Sequence, residues 1–537
     1  MKVEGLMKYI LAYDIGTTGL KTCLFSVEER LRLLASAGDR YGLYVFPDGG
    51  AEQHAEEWWE AMCRTTREIF ARCPEITPAQ IGGISFCSQM QGLILADKNG
   101  VPVRHPMSYM DQRAKEEIKK GIAYGPQIAG ANIGKLIPSL IITGAVTSSV
   151  KDPVWKYKWV EAHEPENFSR AYRMFDVKDY LICRLTGQFK ATEDSAFGTL
   201  LYDTRKGREG WSRKMCRMFG IRESLLPEII RSTDCAGGLT GKAAAELGLK
   251  EGTPVFGGGG DTSCIAIGAG STRVGDTHIY SGTSGWVITV TDKRMVDVDS
   301  MIAAITGAVS GKFNYFAEME TAGKSIQWMK EQILADSAGL YPEKKGVTET
   351  DPETYPGIYE FISEVIGKTE PGSGGVIYAP WLHGNRCPFE DPDATGMFLG
   401  IRLETGKAQL MRAVAEGVFY HLRWMLECQD RKLKTAETIR FVGGTAQSPC
   451  FCQMLADILG RRIETIAEPQ NAGSYGAAAL AAVGLGAIPD IGSVAEFIPA
   501  KAVYEPDPET HRLYEKPYRV FKQLYRTNRR LFAALAK

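Results

Sequence analysis

A strand that runs into a glycine-and-hydroxyl turn and out again as a second strand occurs twice in this chain. The two copies lie about half the length of the chain apart, and that repeat restricts the folds open to it. The first copy is Tyr9-Ile10-Leu11-Ala12-Tyr13, then Asp14-Ile15-Gly16-Thr17-Thr18-Gly19, then Thr22-Cys23-Leu24-Phe25-Ser26-Val27. The second is Asp276-Thr277-His278-Ile279-Tyr280-Ser281, then Gly282-Thr283-Ser284-Gly285, then Trp286-Val287-Ile288-Thr289-Val290. The flanks are rich in β-branched and aromatic residues and read as strands. A further strand is predicted from Leu31 to Ala35. The turns differ only in Thr18 standing where the second has Ser284. A match of four residues is weak alone. In the same strand–turn–strand setting at half length, it predicts a duplicated fold with both turns facing one cleft.

The rest of the chain alternates strands with helices. Ile81 to Cys87 and Leu93 to Ala96 read as strands, as do Gly252 to Phe256 and Ile439 to Val442. Helical spacing appears in Lys407 to Glu427 and Phe451 to Leu459, and Gly476 to Ile488 reads as a close-packed internal helix too short to span a bilayer. This is an α/β pattern. With 537 residues the chain is too long for one core, so two domains are expected. Glu343 to Glu353, with Pro352 and Pro356 near its end, and Gly367 to Gly375 read as surface loops. From Lys516 the chain is basic. Phe521, Leu524, Tyr525, Leu531, Phe532 and Leu535 recur there at helical spacing, which predicts a docked terminal helix.

Composition narrows the function classes. The net charge of −1 gives no electrostatic reason to expect nucleic acid or a membrane surface. Lys2, Glu4, Lys8 and Asp14 break up the only early apolar run, so no signal peptide is expected. The twelve cysteines include no Cys-x-x-Cys pair, and Cys450 and Cys452 have no partner pair nearby. With no His-x-x-x-His among the seven histidines, neither a disulfide framework nor a zinc site is expected, and reduced thiols in a cytoplasmic enzyme are.

The two turns suit a phosphate chain. Glycine lets the backbone approach closely and point several N–H groups inward, and the hydroxyls complete the cradle. Lys21 can add a charged contact. Either turn alone would be read as a plain hairpin; the pair reverses that judgement. Gly323-Lys324-Ser325 is not a P-loop, because Glu318 stands where that pattern needs glycine. Asp14, at a strand end beside the first turn, is placed to hold Mg²⁺ with phosphate oxygens. Asp261 follows Gly257-Gly258-Gly259-Gly260. It can accept the proton of an attacking hydroxyl, or cap the helix opened by Asp261-Thr262-Ser263, or both.

These residues resemble those of the FGGY carbohydrate kinases over nearly the whole chain. Asp14 to Lys21 resembles the family's first phosphate motif, Gly260-Asp261 the Gly-Asp of its catalytic base, and Ser281 to Ser284 its second phosphate motif. Ala322-Gly323 with Ile326-Gln327-Trp328 resembles the nucleotide-side helix, and Gly443-Gly444 with Ala446 to Ser448 the adenine-binding turn. Gly396 to Ile401, with Gln409-Leu410 and Ala413 to Glu416, resembles the C-terminal signature, although Ala415 is smaller than usual. Pro380 to Pro388 is similar to a Pro-Tyr-Leu-x-Gly-Glu-Arg-x-Pro stretch, with Asn385 in place of glutamate. Lys156 and Trp159-Val160 match a looser N-terminal signature that Lys151 and Ala162 do not follow. Ser88 to Gly92 resembles the Gly-Gln-Met-His-Gly turn of xylulose kinases, and Met110 to Arg113 their Asn-Asp-x-Arg.

The resemblance implies two actin-like (ribonuclease H-like) ATPase domains, residues 1–270 on the sugar side and 271–537 on the nucleotide side, with the active site between them. It implies ATP with Mg²⁺, the metal at Asp14 and Asp261. Asp261 would be the base. Gly16, Thr17, Thr18, Lys21, Gly282 and Thr283 would hold phosphates, and Gly323, Gly443, Gly444 and Ser448 the rest of the nucleotide. Met90, Gln91, Asp111 and Asp261 would meet the sugar, a ketopentose such as xylulose or a related polyol. Gln91 replaces histidine, and Ala123 to Ala145 departs from the family, so both bear on specificity. A gluconate, ribulose, erythritol or glycerol kinase is the alternative within the class. An actin-like ATP switch without metabolite kinase activity is the alternative outside it, and a catalytically dead sugar-binding homologue is a third. Enzymes of this size are commonly homodimers, the expectation carried here.

Overall fold

The computed structural model describes residues 9–128, 130–334 and 357–536. The predicted loop from Glu343 to Glu353 lies outside them. Two mixed sheets, one in each half of the chain, carry the architecture. The first holds β1 (Tyr9–Ile15), β2 (Gly19–Val27), β3 (Leu31–Arg40), β4 (Ile81–Ser88), β5 (Cys235–Gly238), β6 (Pro254–Phe256) and β7 (Gly259–Gly260). Its order is β5-β6-β4-β1-β2-β3, with β7 also on β4. β1, β2 and β3 are antiparallel neighbours, and β4 runs parallel to β1 and β6. The second holds β8 (Thr277–Ser281), β9 (Gly285–Thr291), β10 (Val296–Asp297), β11 (Ile302–Thr306), β12 (Phe313–Met319), β13 (Thr438–Val442), β14 (Arg462–Ile466) and β15 (Ala500–Tyr504), in the order β10-β11-β12-β9-β8-β13-β14-β15.

Within each sheet a three-strand antiparallel meander sits beside two parallel strands reached by crossover. β3-β2-β1-β4-β6 corresponds to β12-β9-β8-β13-β14. That is the duplicated, ribonuclease H-like arrangement the repeated turns predict. β4, parallel to its neighbours on both sides, is buried along its whole length and reads as an unbroken small and apolar run. The predicted strand from Leu31 continues to Arg40, because its outer residues face water while its backbone stays paired to β2.

Helices α1 (Ala55–Arg72), α2 (Ile133–Ile142), α3 (Pro153–His163), α4 (Val177–Thr186), α5 (Glu193–Gly198) and α6 (Asp261–Gly268) belong to the first half. The second half supplies α7 (Gly323–Trp328), α8 (Lys407–Asp430), α9 (Pro449–Leu459), α10 (Ala472–Gly484) and α11 (Pro508–Leu535). Besides a core under each sheet, a third core joins the halves. It combines Ile10, Ala12 and Phe25 of the first sheet, Trp286, Ile288 and Val442 of the second, and residues of α6 and α10. The two helices cross at glycines. A Cβ on Gly268 would collide with the carbonyl oxygen of Ala472, and one on Gly476 with that of Cys264.

Three expectations need correction. Gly367 belongs to a helix, Ile358–Lys368, rather than to a loop, because Ile362 and Ile366 pin one face of that helix into the core. In α11, Tyr514, Tyr518, Phe521, Leu524 and Phe532 are buried, but Leu531 and Leu535 are 60% and 77% exposed. The terminal stripe therefore docks through its first turns and one late phenylalanine. The internal helix α10 begins at Ala472 and ends at Gly484, four residues short of Ile488.

The halves touch again across the cleft. Part of the segment from Ala123 to Ala145 folds as α2, capped by the Asn132 side chain on the Gly134 N–H at 2.9 Å. Arg294 of the second half donates to the carbonyl oxygen of Ile141 at 2.9 Å, at the C-terminal end of α2. Ser310 Oγ, also of the second half, donates to Glu193 Oε1 of α5 at 2.9 Å. Among the described residues no helix is long and apolar enough to cross a membrane.

Candidate active site

The first turn joins β1 to β2 and closes through Gly16 N–H donating to Gly19 O at 2.9 Å. Its backbone is held from outside. Tyr41 Oη donates to Gly16 O at 2.5 Å, Gln53 Nε2 to Thr17 O at 2.7 Å, and Tyr41 N–H to Thr18 O at 3.2 Å. With three carbonyls bound outward, the remaining N–H groups and the Thr18 hydroxyl are left for a ligand. The Thr17 hydroxyl has only a long 3.5 Å contact to Tyr109 Oη.

The second turn is closed by Gly282 N–H on Ser284 O at 3.0 Å and carries the start of α7. Gly323 N–H donates to Gly282 O at 2.7 Å, and any side chain on Gly323 would meet that oxygen. Gly443, at φ +100°, packs against the end of β8, where Ser281 Oγ donates to Thr445 Oγ1 at 2.9 Å. Nothing lies within 4 Å of where a Cβ on Gly444 would be, so that turn has open space before it. Ser448 is different. Its hydroxyl caps α9 by accepting from Phe451 N–H at 3.4 Å and is bonded to Ser363 Oγ at 2.9 Å, which is a helix-capping arrangement.

The carboxylates gather between the turns. Asp14 ends β1 opposite Lys21, whose Nζ crosses to Asn471 Oδ1 of the second half at 2.7 Å. Burial pushes the Asp14 carboxyl up and Lys21 opposes it. The N-terminal turn of α10 lies against this carboxylate at Gly473, where the helix dipole favours its charge. Asp261 is the first residue of α6, and its Oδ1 accepts the Thr262 N–H at 2.7 Å. The expected helix cap needs correction: Gly260 is the cap residue and Asp261 the first helical one, whose Oδ1 meets only the N–H of its neighbour. Burial, aided by the charges of Asp14, Glu318 and Asp194, pushes the Asp261 carboxyl up to about 6. Tyr280, at the end of β8, is raised by burial and by both Asp261 and Asp14, so the second turn shares one field with the carboxylates.

The glycines before Asp261 are required by close approach. Gly258 sits at φ +63° over the Phe86 backbone, and a Cβ on Gly260 would overlap the Met90 side chain. Met90 therefore lies directly beside the start of α6, with its Sδ 3.9 Å from Thr262 Oγ1. Gln91 follows at φ +62°, rare for a residue with a side chain. Two buried groups hold it there. Asp176 accepts the N–H groups of Gln91 and Gly92 at 2.7 and 3.0 Å, and Lys156 Nζ donates to Gln91 O at 2.7 Å. Burial pushes Asp176 up to about 7 and Lys156 down to about 8.

Asp111, expected at the sugar, has both oxygens taken by protein donors. It is fully buried; its Oδ2 accepts Arg113 Nη2 at 2.7 Å, Arg113 Nε at 3.0 Å and Ala51 N–H at 2.8 Å, and its Oδ1 accepts Arg113 N–H at 3.1 Å. Arg113 and Arg104 also both reach Glu52 Oε1 at 2.6 Å. Asp111 is thus a brace for the segment Ala51 to Gln53 and offers no free oxygen to a sugar. The guanidinium two residues along is the local reason.

Several groups escaped the sequence reading. Asp194 Oδ2 accepts Gly260 N–H at 2.8 Å and, through Thr192, is linked to Lys178, so a buried network sets the backbone under Asp261. Arg386 pairs with Glu318 at 2.8 Å and with Glu320 at 2.7 Å at the end of β12, next to Asp261. Asp176 has no motif; its partner Lys156 had one, without a role attached. Removing the Asp176 carboxylate leaves two buried N–H groups unpaired. Asp176→Ala is expected to raise the sugar KM about tenfold or more while the ATP KM stays near wild type, as steady-state kinetics with each substrate varied would read.

A cavity of about 940 Å³ lies elsewhere, lined by Trp59, Arg104, Arg184 and Glu246 among others. Its charges are closed on each other, Arg184 with Glu56, Arg104 with Glu52 and Glu164, and Trp59 Nε1 with Glu246.

Two glycine-and-hydroxyl turns, one in each half, with a buried carboxylate at a helix start near them, form the two-domain α/β frame of a carbohydrate kinase. The model of the FGGY family of carbohydrate kinases, N-terminal domain, matches residues 9–268, and the C-terminal domain model matches residues 278–485. The chain belongs to the FGGY family of carbohydrate kinases. It is 29% identical to a xylulose kinase of Staphylococcus epidermidis over 98% of both chains. Its fold is similar to the crystal structure of ligand-bound xylulose kinase from Lactobacillus acidophilus, with a TM-score of 0.83, 24% identity and coverage of 98% of this chain and 100% of that one. It is also similar to a gluconate kinase from the same organism, with a TM-score of 0.81, 24% identity and coverage of 97% and 98%.

Proposed function

We propose that the chain transfers the γ-phosphoryl group of ATP to a terminal hydroxyl of a small sugar, a ketopentose of the xylulose type, with Asp261 as the base. The observation that carries this is the position of Asp261. It opens α6 directly beside Met90 of the sugar-side loop and shares its electrostatic field with Asp14 of the first phosphate turn. Asp261 orients the hydroxyl and accepts its proton as the oxygen bonds to the γ-phosphorus. The bond from that phosphorus to the bridging oxygen breaks and ADP leaves. Gly16, Thr17, Thr18 and Lys21 act on the phosphates from the first half (residues 1–270). Gly282, Thr283 and Gly323 act from the second (271–537), with Gly443 and Gly444 beside the base. Met90 and Gln91 face the sugar, and Asp111 braces the site from behind. Contacts between the halves on the far side of the cleft help to exclude water, which limits wasteful hydrolysis.

Mg²⁺ fits this donor set. Asp14 and Asp261 are hard oxygen ligands whose charges push against each other. Among the described residues there is no group of three or more His, Cys, Asp or Glu side chains suited to a metal. A cation that takes one or two carboxylates and completes its shell with phosphate and water is the kind such a site suits. When bound it would neutralise phosphate charge. The substrate reading is supported by the relatives' names and by the Ser88 to Gly92 loop, and Gln91 in place of histidine is the position in that loop that bears on which sugar is taken. ADP release with MgATP across ketopentoses, polyols, aldonates and glycerol tests it. Strong stimulation by xylulose is expected. Stimulation by gluconate alone would move the substrate to the aldonates, and none by any compound would sink the sugar-kinase reading.

A further inference from the structure

Two glutamines stand between the sugar-side loop and the first phosphate turn, and neither belongs to the chemistry described so far. Gln53 is 1% and Gln89 7% exposed. Gln89 Nε2 donates to Gln53 Oε1 at 2.9 Å, and Gln53 Nε2 donates to Thr17 O at 2.7 Å. Gln89 immediately precedes Met90 and Gln91, and its own N–H donates to Ile15 O at 2.8 Å, one residue before the turn. The direction of this chain is forced. The Thr17 carbonyl can only accept, so the NH₂ of Gln53 must face it and its carbonyl must face the NH₂ of Gln89. The last acceptor, Gln89 Oε1, is then left buried with no hydrogen-bond partner.

The other end is anchored as firmly. Gln53 follows Ala51 and Glu52, which Asp111, Arg113 and Arg104 clamp, and its N–H donates to Pro106 O at 3.0 Å. We infer that Gln53 and Gln89 are positioning residues, a one-directional amide relay that ties the Thr17 peptide of the phosphate turn to the sugar-side loop. The relay orients the N–H groups of the turn toward phosphate and links their geometry to the loop carrying Met90 and Gln91. It rests on the reading of Gly16 to Gly19 as a phosphate turn, but not on which sugar is used.

Gln53→Glu tests the direction. An ionised carboxylate still accepts from Gln89 but can donate nothing to Thr17 O, and it meets that oxygen with like charge. A protonated carboxyl has the hydrogen-bonding pattern of the amide and restores the relay. Burial beside a carbonyl raises the pKa of the new acid, so the relay is intact below that value and lost above it. The nearby charged groups Glu52, Arg104, Arg113 and Asp111 are closed on one another, and His54, Tyr41 and Tyr109 are the other titratable neighbours. All are common to both proteins and cancel in a ratio. ATP affinity is measured by calorimetry without sugar, from pH 5.5 to 8.5, for the wild type and Gln53→Glu. The variant is expected to bind about tenfold more weakly at the alkaline end and to approach wild type at the acid end. A ratio that is flat with pH, or near one throughout, overturns the relay. A wild type that does not bind ATP overturns the phosphate-turn reading and the relay with it. Gln89→Glu, which cannot donate to Gln53 when ionised, repeats the test if the first variant does not fold. Sugar turnover measured alongside fails separately if only the substrate is wrong.

Discussion

Replacing Asp261 by asparagine is expected to lower kcat by a factor on the order of a hundred to ten thousand, with ATP still bound. The amide keeps the shape and can still accept from Thr262 N–H, so the helix start survives, but it cannot take the proton of the attacking hydroxyl. Near-normal turnover in the variant would remove Asp261 from the mechanism. Its acidity adds a second expectation. The carboxyl is pushed up to about 6, chiefly by burial. Its proton-accepting form is the majority above that pH and falls tenfold per unit below it, so kcat/KM should drop on the acid side with a midpoint near 6. The same shift has a sign for stability. The folded pKa lies above the ordinary value of 3.8, so the folded protein prefers the neutral acid. The charge therefore costs stability fully above about pH 6, and the cost vanishes below the ordinary value. Measured without nucleotide, Asp261→Asn should melt higher than wild type at pH 7.5, with the gain shrinking toward zero near pH 3.5. A lower melting point at pH 7.5 would contradict this.

Gly476→Ala is expected to lose about 3 kcal/mol or more of stability, and Gly476→Val to prevent folding. The added carbon would collide with the carbonyl oxygen of Cys264, a backbone atom with no rotamer to change. The helices can make room only by moving apart, and α10 is packed in one core with Ile10, Ala12 and Phe25 of the first sheet and Trp286 and Val442 of the second. Thermal or denaturant unfolding of Gly476→Ala reads the effect directly. The comparison is Gly484→Ala, whose Cβ would meet the carbonyl of Thr233 and the Phe256 ring at the far end of the same helix. A Gly476→Ala protein as stable as wild type would mean that the crossing is not the close contact described.

The two strand–turn–strand units could be found from sequence because their signals are local. Gly16 to Gly19 and Gly282 to Ser284 carry the glycines and hydroxyls that need them, and the strands on each side declare themselves by residue type. The place of Asp261 at a helix start was legible for the same reason, since four glycines precede an acid and an apolar run. The support beneath these residues was not. Asp176, Lys156 and Gln91 meet through folding of three separate segments, and no spacing along the chain announces a carboxylate that accepts two N–H groups of a distant loop. The Asp194 network under Gly260 is hidden in the same way. The Asp111 motif points by resemblance to a sugar contact, and spacing alone does not show that Arg113, two residues on, takes its oxygens. Leu531 and Leu535 of α11 show a related limit. Helical spacing tells which residues share a face, but not how far the protein extends beneath that face.

The family models part between residues 268 and 278, directly after α6, so the joint in the chain and the joint in the three-dimensional molecule do not coincide. α10 belongs to the second model by sequence and to a core shared with the first sheet by packing. This constrains inheritance. A recombinant joined after residue 268 would set α6 from one parent against α10 from another, at a crossing where neither glycine can be exchanged. An exchange of first halves between relatives is therefore expected to fold only where both crossing helices keep a glycine at the positions of Gly268 and Gly476.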